Sequence, residues 1–110
     1  MGRNKETQPG QVLTLNELVA YQTGAVVSRT LVNKKGGTVT MFSFDTGEGL
    51  SEHTAPFDAL VQVVDGEARI TISGNDHTVL AGQAILMPAN EPHAVYATSK
   101  MRMLLVMARD

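Results

Sequence analysis

The sequence predicts an all-β domain, either a sandwich or a small barrel. Its apolar residues fall in short runs that alternate or are rich in β-branched side chains, as is typical of strands. Ten glycines and four prolines stand between these runs as turn residues. With 110 residues, of which 43% are hydrophobic, the chain is long enough for one hydrophobic core but not for two.

The first part of the chain is polar and favours little regular structure. We expect residues 1–10 to form a flexible tail and residues 11–110 to form a single domain. The stretch from Leu15 to Val19 favours one short helical turn, for which Thr14 or Asn16 could provide the cap.

From residue 25 onward the sequence alternates between strand and turn patterns. The pair Asp65-Gly66 is a strong two-residue hairpin signal, and glycine-rich turns at residues 33–37 and 73–76 separate other runs. Eight or nine strands at this spacing are typical of a sandwich or a small barrel. The predicted strands are residues 26–32, 38–44, 50–55, 59–64, 68–72, 77–80, 84–87, 93–97 and 101–108.

The composition excludes several kinds of chemistry. The chain has no cysteine, which excludes disulfides, thiolate metal sites and cysteine nucleophiles. The formal net charge of -2 argues against nucleic acid as a partner, and no apolar run is long enough to span a membrane. The polar N-terminal residues lack the apolar region of a signal peptide, so we expect a cytoplasmic protein. Three histidines remain as the scarce reactive side chains.

Two sequence motifs carry the functional signal. The first spans residues 47–66, GEGLSEHTAPFDALVQVVDG, and the second spans residues 82–97, GQAILMPANEPHAVYA. They resemble the two motifs of the cupin superfamily, G(x)5HxH(x)3-4E(x)6G and G(x)5PxG(x)2H(x)3N. The matching residues are Gly47, His53, Gly66, Gly82, Pro88 and His93. The resemblance covers about residues 25–108 and implies a double-stranded β-helix, or jelly-roll barrel.

The metal-binding part of this resemblance is incomplete. Cupins usually hold a divalent metal ion with three histidines and one glutamate. Ala55 and Ala59 stand where the resemblance places the second histidine and the glutamate. The resemblance therefore leaves His53 and His93 as the metal-ligand candidates, and one divalent metal ion as the cofactor that they would hold.

Strand alternation gives an independent reason to place His53 in the barrel interior. Residues 53, 55 and 59 share one face if the strand pairing is unbroken, because successive side chains point to opposite sides. The face is otherwise apolar, so we expect a roomy, mainly apolar cavity of the kind that binds small organic molecules. The predicted pocket residues are His53, Ala55, Ala59, Val61 and His93.

Other polar residues are weaker candidates. His77 follows a turn and is predicted to lie at the surface, and Tyr96 lies on the opposite face of its strand from His93. Gln62 points away from the predicted interior, towards solvent or an interface.

Three kinds of function remain open at this point. The first is a metal-free sensor or carrier that binds a small organic molecule through neutral imidazoles. The second is a metal-dependent enzyme with the dioxygenase or isomerase chemistry that the cupin resemblance implies, so enzymatic status stays undecided. The third is a structural protein with a vestigial cavity. We also expect a homodimer, because an apolar strand at 101–107 or 26–32 would otherwise be an exposed edge.

Overall fold

The computed structural model describes residues 7–109, which form one 3₁₀ turn and nine strands. The 3₁₀ turn is Leu15–Glu17, close to the predicted helical turn. Residues 1–6 of the predicted tail lie outside the described residues. The strands are β1 Val26–Lys34, β2 Gly37–Phe44, β3 Gly49–His53, β4 Asp58–Asp65, β5 Glu67–Ile72, β6 Asn75–Leu80, β7 Ala84–Met87, β8 His93–Ala97 and β9 Met101–Ala108. Within the described residues no helix is long and apolar enough to cross a membrane.

The strands pair in a nested order. β5 pairs with β6, β4 with β7, β3 with β8 and β2 with β9, all antiparallel. These pairs alternate between a five-stranded sheet, in the order β1-β2-β9-β4-β7, and a four-stranded sheet, in the order β3-β8-β5-β6. Two antiparallel strands that wind together in this way form a double-stranded β-helix, so the predicted all-β architecture is confirmed.

The hydrophobic core lies between the two sheets. Along β4 the exposed and buried residues alternate strictly from Asp58 to Val63, as expected when one face of a strand meets the core. Small and branched side chains from both sheets meet methionines from β7 and β9. The fully buried or nearly buried core residues are Phe44, Ala59, Val61, Val63, Ala68, Ile70, Val79, Met87, Val95, Ala97, Met101 and Met103.

The structure corrects the expected position of the last strand. β9 lies in the middle of the five-stranded sheet, hydrogen-bonded to β2 on one side and β4 on the other. Of the two strands predicted as an exposed edge, residues 101–107 are therefore not at an edge, whereas residues 26–32 are, because β1 ends the five-stranded sheet. The error arises because β9 inserts between strands that are distant in sequence, which a local pattern does not encode.

The segment that precedes β1 covers one end of the outer face of the five-stranded sheet. The Ser43 hydroxyl donates a hydrogen bond to the Ala20 carbonyl at 2.8 Å, and Arg102 Nε donates to the Val19 carbonyl at 2.9 Å. The Arg102 guanidinium also stacks on the Tyr21 ring, with its central carbon 4.0 Å from the ring centroid. These contacts hold the segment against β2 and β9.

Tyr21 closes this cluster through Asp65. The Tyr21 hydroxyl donates to Asp65 Oδ2 at 2.6 Å, and Arg102 Nη1 forms an ion pair with the same oxygen at 3.1 Å. Burial raises the pKa of Tyr21, and the hydrogen bond to the Asp65 carboxylate raises it further. The folded protein therefore keeps the neutral phenol at a pH where the unfolded chain already ionises.

The free energy of unfolding of the Tyr21→Phe protein is expected to be about 1 kcal/mol lower at neutral pH, since one hydrogen bond to a carboxylate is lost. Because the folded pKa is raised, the contribution of Tyr21 is fully present below the ordinary tyrosine pKa of about 10 and is lost as pH rises beyond it. Urea unfolding at neutral and alkaline pH measures both effects. If the unfolding free energy falls as steeply with rising pH in Tyr21→Phe as in the parent protein, groups other than Tyr21 cause the alkaline loss of stability.

Candidate functional site

Two strands of the four-stranded sheet bring the histidines of the two motifs together. His53 ends β3 and His93 begins β8, and the two residues are register partners. The register of this pair shifts between Leu50 and His53, which marks a β-bulge with one extra residue in β3. With the bulge both Leu50 and His53 line the cavity between the sheets, although their odd spacing would place them on opposite faces of a regular strand. His53 stays exposed there, which corrects its predicted position in the barrel interior.

The two imidazole rings touch through their outer nitrogens. His93 Nε2 lies 3.1 Å from His53 Nε2, and the rings meet edge to face with centroids 4.4 Å apart. His93 is 4% exposed, whereas His53 lies at the surface, so the pair runs from the interior to the solvent.

Each ring is fixed by the backbone carbonyl two residues before it. His53 Nδ1 lies 2.8 Å from the Ser51 oxygen, and His93 Nδ1 lies 3.1 Å from the Glu91 oxygen. A carbonyl oxygen only accepts hydrogen bonds, so Nδ1 of each ring is assigned the proton. In the neutral rings both Nε2 atoms then carry lone pairs, and these atoms lie 3.1 Å apart. The two Nε2 atoms can therefore accept a hydrogen bond, bind a proton or coordinate a metal ion.

The histidine pair lies at a small cavity between the two sheets. Its volume is about 40 Å³, room for roughly three water-sized groups. The sequence predicts a roomy cavity, and the structure differs because methionine and leucine side chains from β7 and β9 reach into the space left by Ala55 and Ala59. The lining residues are Leu50, His53, Ala55, Ala59, Met87, His93, Val95, Met103, Leu105 and Met107.

The remaining predicted residues lie where strand alternation places them. Val61 is fully buried in the core but does not line this cavity. Tyr96 lies on the outer face, where the Arg69 guanidinium stacks on its ring, and His77 and Gln62 are exposed.

Within the part of the chain that the structure describes, carboxylates do not complete a metal site around the two imidazoles. The Glu91 side chain instead accepts a hydrogen bond from Ser73 at 2.8 Å, and Asp58 accepts one from the Ala89 amide at 2.9 Å. Among residues 7–109 no group of three or more histidine or carboxylate side chains is placed to hold one metal ion. The 3.1 Å between the two Nε2 atoms is close to the separation of about 3.0 Å between nitrogens bound at about 2.1 Å and at the right angle of an octahedral site, and shorter than the separation of about 3.4 Å in a tetrahedral one.

Sequence reasoning missed the side of the site that β7 and β9 provide. Met87 and Met107 line the cavity on either side of Ala59, as its register partners. Met103 lies four residues before Met107 along β9, and Leu50 joins them through the bulge. The alternation along β9 does indicate that its methionines share one face. It does not indicate that this face lies across the interior from His93.

The fold and the site define a class of protein: a double-stranded β-helix with an imidazole pair beside a small apolar cavity. The family model described as a cupin domain matches residues 40–108. The chain belongs to the cupin family, as its two motifs predict.

Solved structures support this assignment over the whole chain. A conserved protein of unknown function from Streptococcus pyogenes is 37% identical, with all of this chain and 96% of that chain covered and a TM-score of 0.91. A cupin superfamily protein from Desulfitobacterium hafniense is 27% identical, with 98% and 99% covered and a TM-score of 0.89. A cupin 2 conserved barrel domain protein from Leptotrichia buccalis is 43% identical over 88% of this chain and 47% of that chain, with a TM-score of 0.86. No functionally curated protein matches the sequence.

Proposed function

We propose that this cupin binds a small organic molecule, as a sensor or a carrier, at the His53–His93 pair. The observation that carries the proposal is the convergence of two Nε2 atoms, 3.1 Å apart, beside an apolar cavity. Few polar groups in an otherwise apolar pocket are the usual composition of a small-molecule site. The pair would bind the polar head of the ligand, and the cavity would take its apolar part.

The hydrogen bonds between the Nδ1 atoms and the backbone carbonyls restrict the chemistry of the polar head of the ligand. Because both Nδ1 atoms donate to carbonyls, both Nε2 atoms accept when the rings are neutral. The head of the ligand must then donate hydrogen bonds, as an ammonium or a hydroxyl group does. A carboxylate meets two lone pairs and is disfavoured.

The size of the apolar part follows from the cavity. A volume of about 40 Å³ suits a chain of about three carbons without rearrangement. Larger ligands require movement of Met87, Met103 or Met107, and methionine is the apolar side chain that adapts most readily to a new shape.

The proposal is tested with three probes that share one tail: n-propylamine, n-propanol and propionate. Each is titrated into the protein at about pH 8, where imidazole is ordinarily neutral, while the methionine methyl signals are followed by NMR. We expect the amine and the alcohol to shift the signals of the cavity methionines, and propionate to leave them unchanged. Tighter binding of propionate would contradict the proposed head group, and no shift with any probe would contradict the proposed site.

A second candidate is a metal-dependent enzyme that uses the same pair. The separation of the Nε2 atoms and the carbonyl tethers favour it, since metal-binding histidines usually donate their other ring N–H to such a group. His53 and His93 would hold the ion, which would act as a Lewis acid on a bound oxygen. The other coordination positions would fall to solvent or substrate, because Ala55 and Ala59 provide no ligand atoms.

Elemental analysis of the untagged protein, purified without chelator, separates the two candidates. If the protein is a metal-dependent enzyme, we expect close to one divalent ion per chain, and loss of that ion in the His53→Ala protein. The metal-free reading predicts little metal in either protein. His77→Ala is the matched control, because it removes an exposed imidazole outside the site.

A further inference from the structure

Two threonines of β2 lie beside the cavity, on the inner face of the five-stranded sheet. Phe42 of the same strand packs against the core, and alternate residues share a face, so Thr38 and Thr40 also point between the sheets. The register places Thr38 beside Met107 and Thr40 beside Leu105, and both of these β9 residues line the cavity. Since neighbouring strands lie about 4.8 Å apart, the two hydroxyl groups adjoin the apolar lining.

The Thr38 hydroxyl is buried without a hydrogen-bond partner. Thr38 is 9% exposed, and among the described residues no polar atom lies within hydrogen-bonding distance of its Oγ1. The other two buried polar residues, Ser43 and His93, both have partners. Native structures contain few unpaired buried polar groups, because each one destabilises the folded state. The Thr38 hydroxyl is therefore available to a molecule that occupies the cavity.

A strip of polar side chains connects these threonines with the solvent. On β1, Asn33 is the register partner of Thr38, and Thr30 is the partner of Thr40. Directly paired residues point to the same side of a sheet, so the four side chains share the inner face. Asn33 and Thr30 are exposed, Thr40 is half-buried and Thr38 is buried, so burial increases from the edge strand towards the cavity. A ligand with a polar end can thus keep hydrogen-bonding partners as it enters.

We propose that the ligand carries a hydroxyl group at its far end and that this hydroxyl binds Thr38, which makes the ligand a short amino alcohol or diol. This inference rests on the proposed binding of a donor head at the His53–His93 pair. With the head at the pair and the carbon chain in the cavity, the far end lies beside Met107 and next to Thr38. A threonine hydroxyl both donates and accepts, so it matches a second hydroxyl, whereas a methyl group leaves it unpaired.

The experiment compares probes of equal size that differ only at the far end. The ω-amino alcohols of three, four and five carbons are each paired with the alkylamine that has a methyl group in place of the hydroxyl: n-butylamine, n-pentylamine and n-hexylamine. Affinities are measured at about pH 8 from the methionine methyl signals. We expect at least one amino alcohol to bind about 10-fold more tightly than its partner, the effect of one hydrogen bond with a buried group.

Thr38→Val keeps the shape of the side chain and removes the hydroxyl. We expect this protein to lose the preference for the amino alcohol and to bind n-butylamine as the parent protein does. Its free energy of unfolding should not fall, because no hydrogen bond within the described chain is lost. Thr78→Val is the matched control, since Thr78 is exposed on β6 and does not line the cavity. The Thr38 methyl signal of the parent protein reports the same contact without a substitution, and the amino alcohol should shift it more than the alkylamine does.

Three results would overturn the inference. They are amino alcohols that bind no more tightly than alkylamines that do bind, a preference that persists in Thr38→Val, and a Thr38→Val protein that is clearly less stable than the parent protein. The last result would show that the hydroxyl already has a partner. The first would leave the histidine pair as the ligand site, whereas failure of every probe to bind would contradict the proposed function and this inference with it.

Discussion

The His93→Leu protein is expected to lose binding of n-propylamine by about 100-fold, the effect of removing a strong hydrogen bond from a buried position. His93 is the inner ring of the pair, 4% exposed, and its Nε2 lies 3.1 Å from that of His53. Leucine keeps much of the side-chain volume in the core while it removes both nitrogens. The remaining imidazole offers a single acceptor at the surface.

Two controls separate this loss from general damage. His77→Leu removes an exposed imidazole that lies two strands away from His93 in the four-stranded sheet and does not line the cavity, so this protein should bind the amine as the parent protein does. The melting temperature of His93→Leu shows whether the fold survives the substitution. If the folded His93→Leu protein binds the amine with unchanged affinity, the histidine pair is not the site of the head group.

The strands could be predicted from the sequence because their boundaries are set locally. Glycine at the left-handed turn position ends β4 at Gly66, where φ is +75°, and Ser73 and Gly74 form a hairpin turn between β5 and β6 with positive φ at both residues. The hairpin predicted at Asp65-Gly66 was wrong, because β4 and β5 lie in different sheets and the turn links the two sheets. Such turns have few alternatives in sequence, so predicted and observed bounds differ by a residue or two.

The pairing order was accessible only through the resemblance to cupins. The hydrogen bonds that insert β9 between β2 and β4 join residues far apart in the chain, and no local pattern specifies them. The hydrogen bond between Arg102 and the Val19 carbonyl likewise joins residues that are 83 positions apart, and no local pattern predicts it.

The histidine pair was predictable as a pair, but its chemistry was not. Both residues follow from the motifs, and alternation points His53 inward. The Nδ1 contacts with the Ser51 and Glu91 carbonyls depend on the bulge and on the turn before β8, and they determine which nitrogen is free. The size of the cavity depends on Met103 and Met107, which reach it from a strand of the other sheet.

The Gly66→Ala protein is expected to lose about 3 kcal/mol of unfolding free energy, which combines two separate costs. Gly66 has φ of +75°, a conformation that costs an alanine about 1–2 kcal/mol. A Cβ at this position would also overlap the backbone carbonyl of Lys100 and crowd the Ser99 hydroxyl. Backbone atoms yield less readily than a flexible side chain, so the turn between β4 and β5 would have to move.

Gly74→Ala separates the two costs, because Gly74 has φ of +82° but its added Cβ would meet no other part of the chain within 4 Å. It should lose only about 1 kcal/mol, the conformational part alone. Urea unfolding of both variants gives the comparison directly. Equal losses would show that the approach of Lys100 adds nothing, and that the left-handed conformation alone requires glycine at residue 66. A larger loss in Gly66→Ala would show that this turn, which links the two sheets, is held against the segment before β9 by direct backbone contact, which glycine alone permits.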